Sequence, residues 1–270
     1  MLGKIVAFIF GSIIGSFLNV CIHRMPKGGS VVWPRSHCPH CKRRIPGYDN
    51  IPFLSYLFLR GRCRYCKQKI SLRYPLVELI TALIFVFFFS RYALSYDFFV
   101  YAVFACLLII ATFIDIKHRI IPDEVSVGGM IVGVILSAIR GLNLNPFTFS
   151  FKPLLNSLLG IIIGGGIIWL TGVLFDLVYF KLLKRPPIQG ETESMGGGDV
   201  KLLAMIGAFL GWQRALLTFF VAPFFGLIIG VINLLKKKDH TLPYGPFLAL
   251  GALLSIFWAN KIIGLFLFAR

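Results

Sequence analysis

Two aspartates stand where long apolar runs meet polar chain, and their chemistry organises the rest. Asp199 follows Gly196, Gly197 and Gly198 and opens the apolar run 200–211; Asp115 directly follows Phe113 and Ile114 at the end of the run 96–114. A carboxylate at a membrane mouth is costly and reads as a functional group by default. At the carboxyl end of a helix it gains nothing from the helix dipole, so Asp115 has no cheap structural role. Asp123 and Glu124 follow Pro122 at the start of the next apolar run, where a first-turn acid is ordinary. Two carboxylates within a few ångströms do not both ionise cheaply: one keeps a proton while the other acts as base. The base can take a proton from water while its protonated partner polarises a carbonyl, which hydrolyses a peptide bond without metal or nucleophilic side chain. Asp123, eight residues past Asp115, stays open as a helper, a helix-start residue or the true partner. No HExxH occurs, and no GxSxG with a Ser/His pair, so metalloprotease and serine-protease chemistries lack their residues.

A second constellation lies in the polar stretch 23–75. Cys38-Pro39-His40-Cys41 and Cys63-Arg64-Tyr65-Cys66 are separated by 21 residues. Two such knuckles offer four thiolates that can close a tetrahedron around structural zinc. The same stretch carries twelve Lys and Arg, which places it in the cytoplasm, where disulfides are disfavoured. Cys21 and Cys106 fall in apolar runs and read as core residues. A basic zinc ribbon can bind nucleic acid, but this one is tied between two membrane helices, so no nucleic-acid partner is expected. Glu78, about one turn into the run 76–93, reads equally well as a snorkelling acid paired with Arg73 and as a site carboxylate.

The elements that must position these groups are membrane helices. The chain has 270 residues, 57% of them hydrophobic, and a formal net charge of +17. Apolar runs of about 18 residues or more span a bilayer core. They occur at 5–22, 76–93, 96–114, 123–140, 153–180, 215–235 and 242–268, with a shorter one at 200–211. The first run is read as a retained helix, because no A-x-A-like site follows it. Its small residues Gly11, Ser12, Gly15 and Ser16 suit close helix–helix contact. The stretch 181–198, with Pro186, Pro187 and the glycines, reads as irregular and mobile. Eight spans with both ends outside put 21 of the 28 Lys and Arg on the cytoplasmic side, and with them both Asp115 and Asp199. The expected fold is therefore an all-α polytopic membrane protein of about eight transmembrane helices with a cytoplasmic zinc-binding loop. Residues 1–94 form an N-terminal region and 95–270 a membrane peptidase domain.

With these residues in place the chain resembles a known family. Gly-x-Gly-Asp at a helix mouth is similar to the signature of intramembrane aspartyl proteases. Over its full length the chain resembles the bacterial prepilin leader peptidases. The carrying stretches are Gly15-Ser16-Phe17-Leu18-Asn19-Val20 with His23-Arg24-Met25-Pro26, the paired C-x2-C, Asp115 with Ile121-Pro122-Asp123, and Gly196-Gly197-Gly198-Asp199-Val200-Lys201. The resemblance implies cleavage of the basic leader from type IV prepilins and type II secretion pseudopilins, at the cytoplasmic face of the inner membrane. It further implies methylation of the new amino terminus with S-adenosylmethionine, since members with the cysteine loop are typically bifunctional. It makes Asp115 and Asp199 the catalytic pair and Cys38, Cys41, Cys63 and Cys66 the zinc ligands. No Gly-rich nucleotide fingerprint marks a cofactor site; Glu78 is a candidate for the methyl-transfer site on chemical grounds alone. Anionic membrane lipid could gather the enzyme and its basic substrate. Two alternatives remain open: a peptidase without methyl transfer, and a transporter using Asp115 and Asp199 as an ion relay.

Overall fold

The computed structural model describes residues 1–143, 150–183, 195–235 and 242–267. Among these residues no strand is formed, and two isolated bridges, His37 to Arg44 and Arg62 to Lys69, are the only extended pairings. The helices are α1 (Leu2–Arg24), α2 (Leu54–Phe58), α3 (Arg73–Tyr92), α4 (Tyr96–His118), α5 (Asp123–Asn143), α6 (Lys152–Asp176), α7 (Gly197–Leu210), α8 (Trp212–Leu235) and α9 (Gly245–Leu267). A wider π-turn segment, Leu177–Leu182, continues α6. Among the described residues six helices are long and apolar enough to cross a membrane: α1, α3, α4, α5, α6 and α8. The chain is an all-helical, multi-pass membrane protein. Of the stretch 181–198, expected to be irregular and mobile, residues 184–194 lie outside the described residues.

The chain divides into two compact units, Met1–Ile114 and Asp115–Arg270. In the first, α1 packs along α3. The small face of α1 makes this contact: a Cβ on Gly11 would stand 2.8 Å from the Ala82 backbone, and one on Gly15 would stand 2.7 Å from that of Glu78. Phe85 and Phe88 of α3 then meet Phe98 and Tyr101 of α4 at ring separations of 6.0 and 5.8 Å. Between α1 and α3 the polar stretch forms two short 3-10 turns, Met25–Lys27 and Gly47–Asn50, and α2.

In the second unit α7 is the buried centre. It touches α5, α6, α8 and α9, and Leu202, Leu203, Met205 and Ile206 are wholly enclosed. Its 14 residues rise about 21 Å, short of the ~30 Å hydrocarbon core. The tightest crossing is with α6, where Gly160 and Gly207 bring the two backbones into contact. Ser157 Oγ donates to Ala208 O at 2.7 Å beside that crossing. The turn after α7 falls on Gly211, whose φ of +82° needs glycine, and Trp212 is already the first residue of α8.

Candidate functional site

Asp115 lies in the last turn of α4 and is buried, 6% exposed. Its Oδ2 accepts the backbone N–H of Gly245, the first residue of α9, at 2.9 Å. Asp199 is the third residue of α7. That helix starts because Gly196 is extended and the Asp199 N–H closes back on the Gly196 carbonyl at 3.0 Å. Gly198 packs against Ile121, 3.3 Å from where its Cβ would stand, which seats the start of α7 on the turn joining α4 to α5. Asp115 and Asp199, 84 positions apart, are thereby brought close enough for their charges to act on one another. The phenol of Tyr244 also lies within reach of the Asp199 charge.

Asp123 is placed differently. It is exposed in the first turn of α5, and Lys201 Nζ of α7 donates to its Oδ1 at 2.6 Å. This ion pair ties the starts of α5 and α7 together and occupies the Asp123 carboxylate.

Glu78 belongs to the other unit. It is buried in α3, 8% exposed, and its Oε2 accepts the N–H of Phe53 at 3.1 Å. Phe53 holds a φ of +58°, uncommon for a bulky residue, as it turns its N–H to this acceptor. The expected pairing with Arg73 is not among the ion pairs of the described residues, and Arg73 Nε is buried without a partner.

The four cysteines converge as their spacing predicts. The Sγ atoms of Cys38, Cys41, Cys63 and Cys66 all lie within 4.8 Å of one another and could hold a metal ion. The two knuckles are built alike. Lys42 and Lys67 each follow a second cysteine, take φ of +59° and +57°, and donate N–H to the carbonyls of Cys38 and Cys63. The Cys66 N–H pulls the Cys63 thiol down to about 7, against desolvation and with help from the Tyr65 N–H and neighbouring sulfurs. The knuckles are braced by Asp49, whose carboxylate takes two bonds from Arg64 at 2.7 and 2.6 Å. The Arg64 guanidinium thereby holds the Asp49 carboxyl below its ordinary range.

Gly245 is the residue that sequence reasoning passed over. Pro243-Tyr244-Gly245-Pro246 opens the apolar run 242–268. The group that matters is a backbone N–H, which no side-chain pattern reports.

Comparison with known proteins places this geometry in a lineage. Residues 9–92, which carry the four cysteines and Glu78, match the bacterial Peptidase A24 N-terminal domain. Residues 102–231, which carry Asp115, Asp123 and Asp199, match the type IV leader peptidase family. The prepilin leader peptidase/N-methyltransferase of Aeromonas hydrophila is 32% identical over 95% of this chain and 91% of its own length. That of Stutzerimonas stutzeri is 33% identical over 98% and 94%. The chain belongs to the type IV leader peptidase family. A relative of the same description from Myxococcus xanthus is 38% identical over 84% of this chain, which spans 62% of that relative's length. No solved structure matches the chain at a significant level. Within the leader peptidase family, both aspartates fall in the matched peptidase segment and all four cysteines in the matched N-terminal one.

Proposed function

We propose that this chain cleaves the basic leader from type IV prepilins and type II secretion pseudopilins, and then N-methylates the new amino terminus with S-adenosylmethionine. One observation carries the reading: Asp115 of α4 and Asp199 of α7, 84 positions apart, converge within electrostatic reach of each other. The curated relatives named for both activities support the second step. Residues 95–270 are the peptidase and 1–94 the N-terminal region that serves methyl transfer.

In the first step one carboxylate accepts a proton from a water, and the water oxygen bonds to the scissile carbonyl carbon. The other carboxyl hydrogen-bonds to the carbonyl oxygen as charge builds there. Collapse breaks the C–N bond, and the leaving amine takes a proton from the pair. The two acids titrate as one unit. Gly196 and Gly197, both exposed beside Asp199, leave room for a substrate backbone to lie next to it.

In the second step S-adenosylmethionine supplies the methyl group. Glu78 would hold the substrate ammonium and take up its proton. The α1–α3 pair bearing Glu78 also holds a buried acceptor without a partner, Asn19 Oδ1, which suits a hydrogen-bond donor. The metal held by the cysteines is zinc. Tetrahedral zinc with bonds of about 2.3 Å needs sulfurs about 3.8 Å apart, and Cys38 Sγ and Cys66 Sγ stand 3.8 Å apart. Zinc there stabilises a stretch with little core of its own. The enzyme resides in the inner membrane, with its active site at the cytoplasmic face, where basic loops and anionic lipid meet.

The test is cleavage of a prepilin by the purified chain in proteoliposomes. Asp115→Asn and Asp199→Asn each abolish cleavage while leaving the fold intact. Full cleavage by either variant rejects the pair.

A further inference from the structure

The first turn of α9 has a specific hydrogen-bond economy. A helix leaves its first four N–H groups without intrahelical partners. Here Pro246 has no N–H, and the Phe247 and Leu248 N–H groups both return to the Tyr244 carbonyl, at 3.0 and 3.2 Å. Gly245 is the remaining donor, and its N–H goes to Asp115 Oδ2 at 2.9 Å, in a buried contact across 130 positions of chain. The fit is also steric. A Cβ at position 245 would lie 2.8 Å from Asp115 Oδ2 and 3.3 Å from its Cγ. Nothing in the backbone angle of Gly245 requires glycine; the carboxylate does. The preceding Tyr244 is braced edge-on against Phe247 with ring centroids 6.4 Å apart, and its phenol lies within reach of the Asp199 charge. The Tyr244–Gly245 junction thus holds one acid by a hydrogen bond and lies within electrostatic reach of the other.

We infer that Gly245 is a positioning residue of the peptidase: its N–H fixes one oxygen of Asp115, and its missing side chain lets the carboxylate sit there, leaving the other oxygen for water. This rests on the proposed role of Asp115 and Asp199. A Cβ at 245 displaces the carboxylate by a fraction of an ångström, and misplacement on the scale of 1 Å costs catalysis about 100-fold. Ala in place of Gly also favours a helix start, so a purely structural account predicts equal or greater stability and unchanged turnover.

Two measurements decide it. The first compares kcat and KM for prepilin cleavage by Gly245→Ala and Pro246→Ala in proteoliposomes. Gly245→Ala lowers kcat on the order of 10- to 100-fold with KM and melting temperature near wild type; Pro246→Ala stays within a few-fold. Wild-type kcat in a folded Gly245→Ala overturns the inference. The second needs no glycine variant. Tyr-Gly occurs once in the sequence, so carbonyl-labelled Tyr with amide-labelled Gly gives one resonance, that of the Gly245 amide. It shifts on Asp115→Ala and stays in place on Asp123→Ala. A resonance indifferent to Asp115→Ala overturns the inference whether or not Gly245→Ala folds. The resonance reports the contact and Asp115→Asn reports the chemistry, so a failed contact and a failed aspartyl mechanism are told apart.

Discussion

The crossing of α6 and α7 makes a demanding prediction, because α7 carries Asp199 in its first turn. At Gly207 an added Cβ runs into the Gly160 carbonyl, and the reverse holds at Gly160. Both obstacles are backbone, which cannot rotate aside as a side-chain tip can. Gly207→Ala therefore forces the helices apart and stretches the neighbouring Ser157–Ala208 bond, now 2.7 Å. Overpacking costs about 1–3 kcal/mol, and a rigid obstacle belongs at the upper end. The helix propensity gained by replacing glycine returns roughly 0.5–1 kcal/mol. The net is about 2 kcal/mol of destabilisation, a factor of up to roughly 30 in the folding equilibrium. Gly166 on the same helix, α6, supplies the control. It is exposed and has open space where a Cβ would go, so Gly166→Ala keeps only the propensity gain. Thermal unfolding of the two purified variants, with prepilin cleavage measured alongside, reads the effect directly. Gly207→Ala melts well below wild type and cleaves more slowly, because the start of α7 shifts with its axis; Gly166→Ala melts at or above wild type and cleaves normally. Equal melting temperatures for the two variants would refute the argument that α6 and α7 meet backbone to backbone.

Two further outcomes follow from the same geometry. The purified chain carries about one zinc by elemental analysis, and Cys38→Ser or Cys63→Ser lowers that content and destabilises the 23–75 stretch, with less effect on cleavage than loss of either aspartate. Lys201→Met and Asp123→Asn each remove the ion pair that joins α7 to α5. Because both groups are substantially exposed, each costs under about 1 kcal/mol and slows cleavage a few-fold, and the double variant is no worse than either single one. Abolition of cleavage by Asp123→Asn, with Asp199→Asn still active, would make Asp123 the partner of Asp115.

Hydropathy made the helices legible and left their partners unread. The runs 96–114, 123–140 and 215–235 reappear as Tyr96–His118, Asp123–Asn143 and Trp212–Leu235. Each is a little longer, because helical bonding continues into the polar flank beyond the apolar stretch. The small face at Gly11 and Gly15 was also readable, since only close packing rewards such residues at that spacing. The cysteine cluster was fully legible because metal ligands must be particular residues at particular spacings. What stayed hidden depends on tertiary geometry. Gly160 and Gly207 are two glycines among 27 until the helices cross. The three readings open for Asp123 did not include its ion pair with Lys201, 78 positions away. Gly245 contributes a backbone donor, a group every residue but proline possesses.

The sequence nevertheless posed the question that Gly245 answers. Asp115 sits at the carboxyl end of α4, where its own helix dipole opposes a negative charge. The fold supplies the missing support from elsewhere by setting the amino end of α9 against that carboxylate. Asp199 has its support at home, in the first turn of α7. Each acid thus faces the amino end of a helix, which favours negative charge, while two carboxylates close together do not both ionise cheaply. In the proposed mechanism this balance is what a pair sharing one proton requires. Two isolated acids at helix starts would both ionise, and two adjacent acids without helix support would hold their shared negative charge less readily. An enzyme that must hold one base and one acid at one membrane face needs both influences at once, and α9 is the element that completes the set.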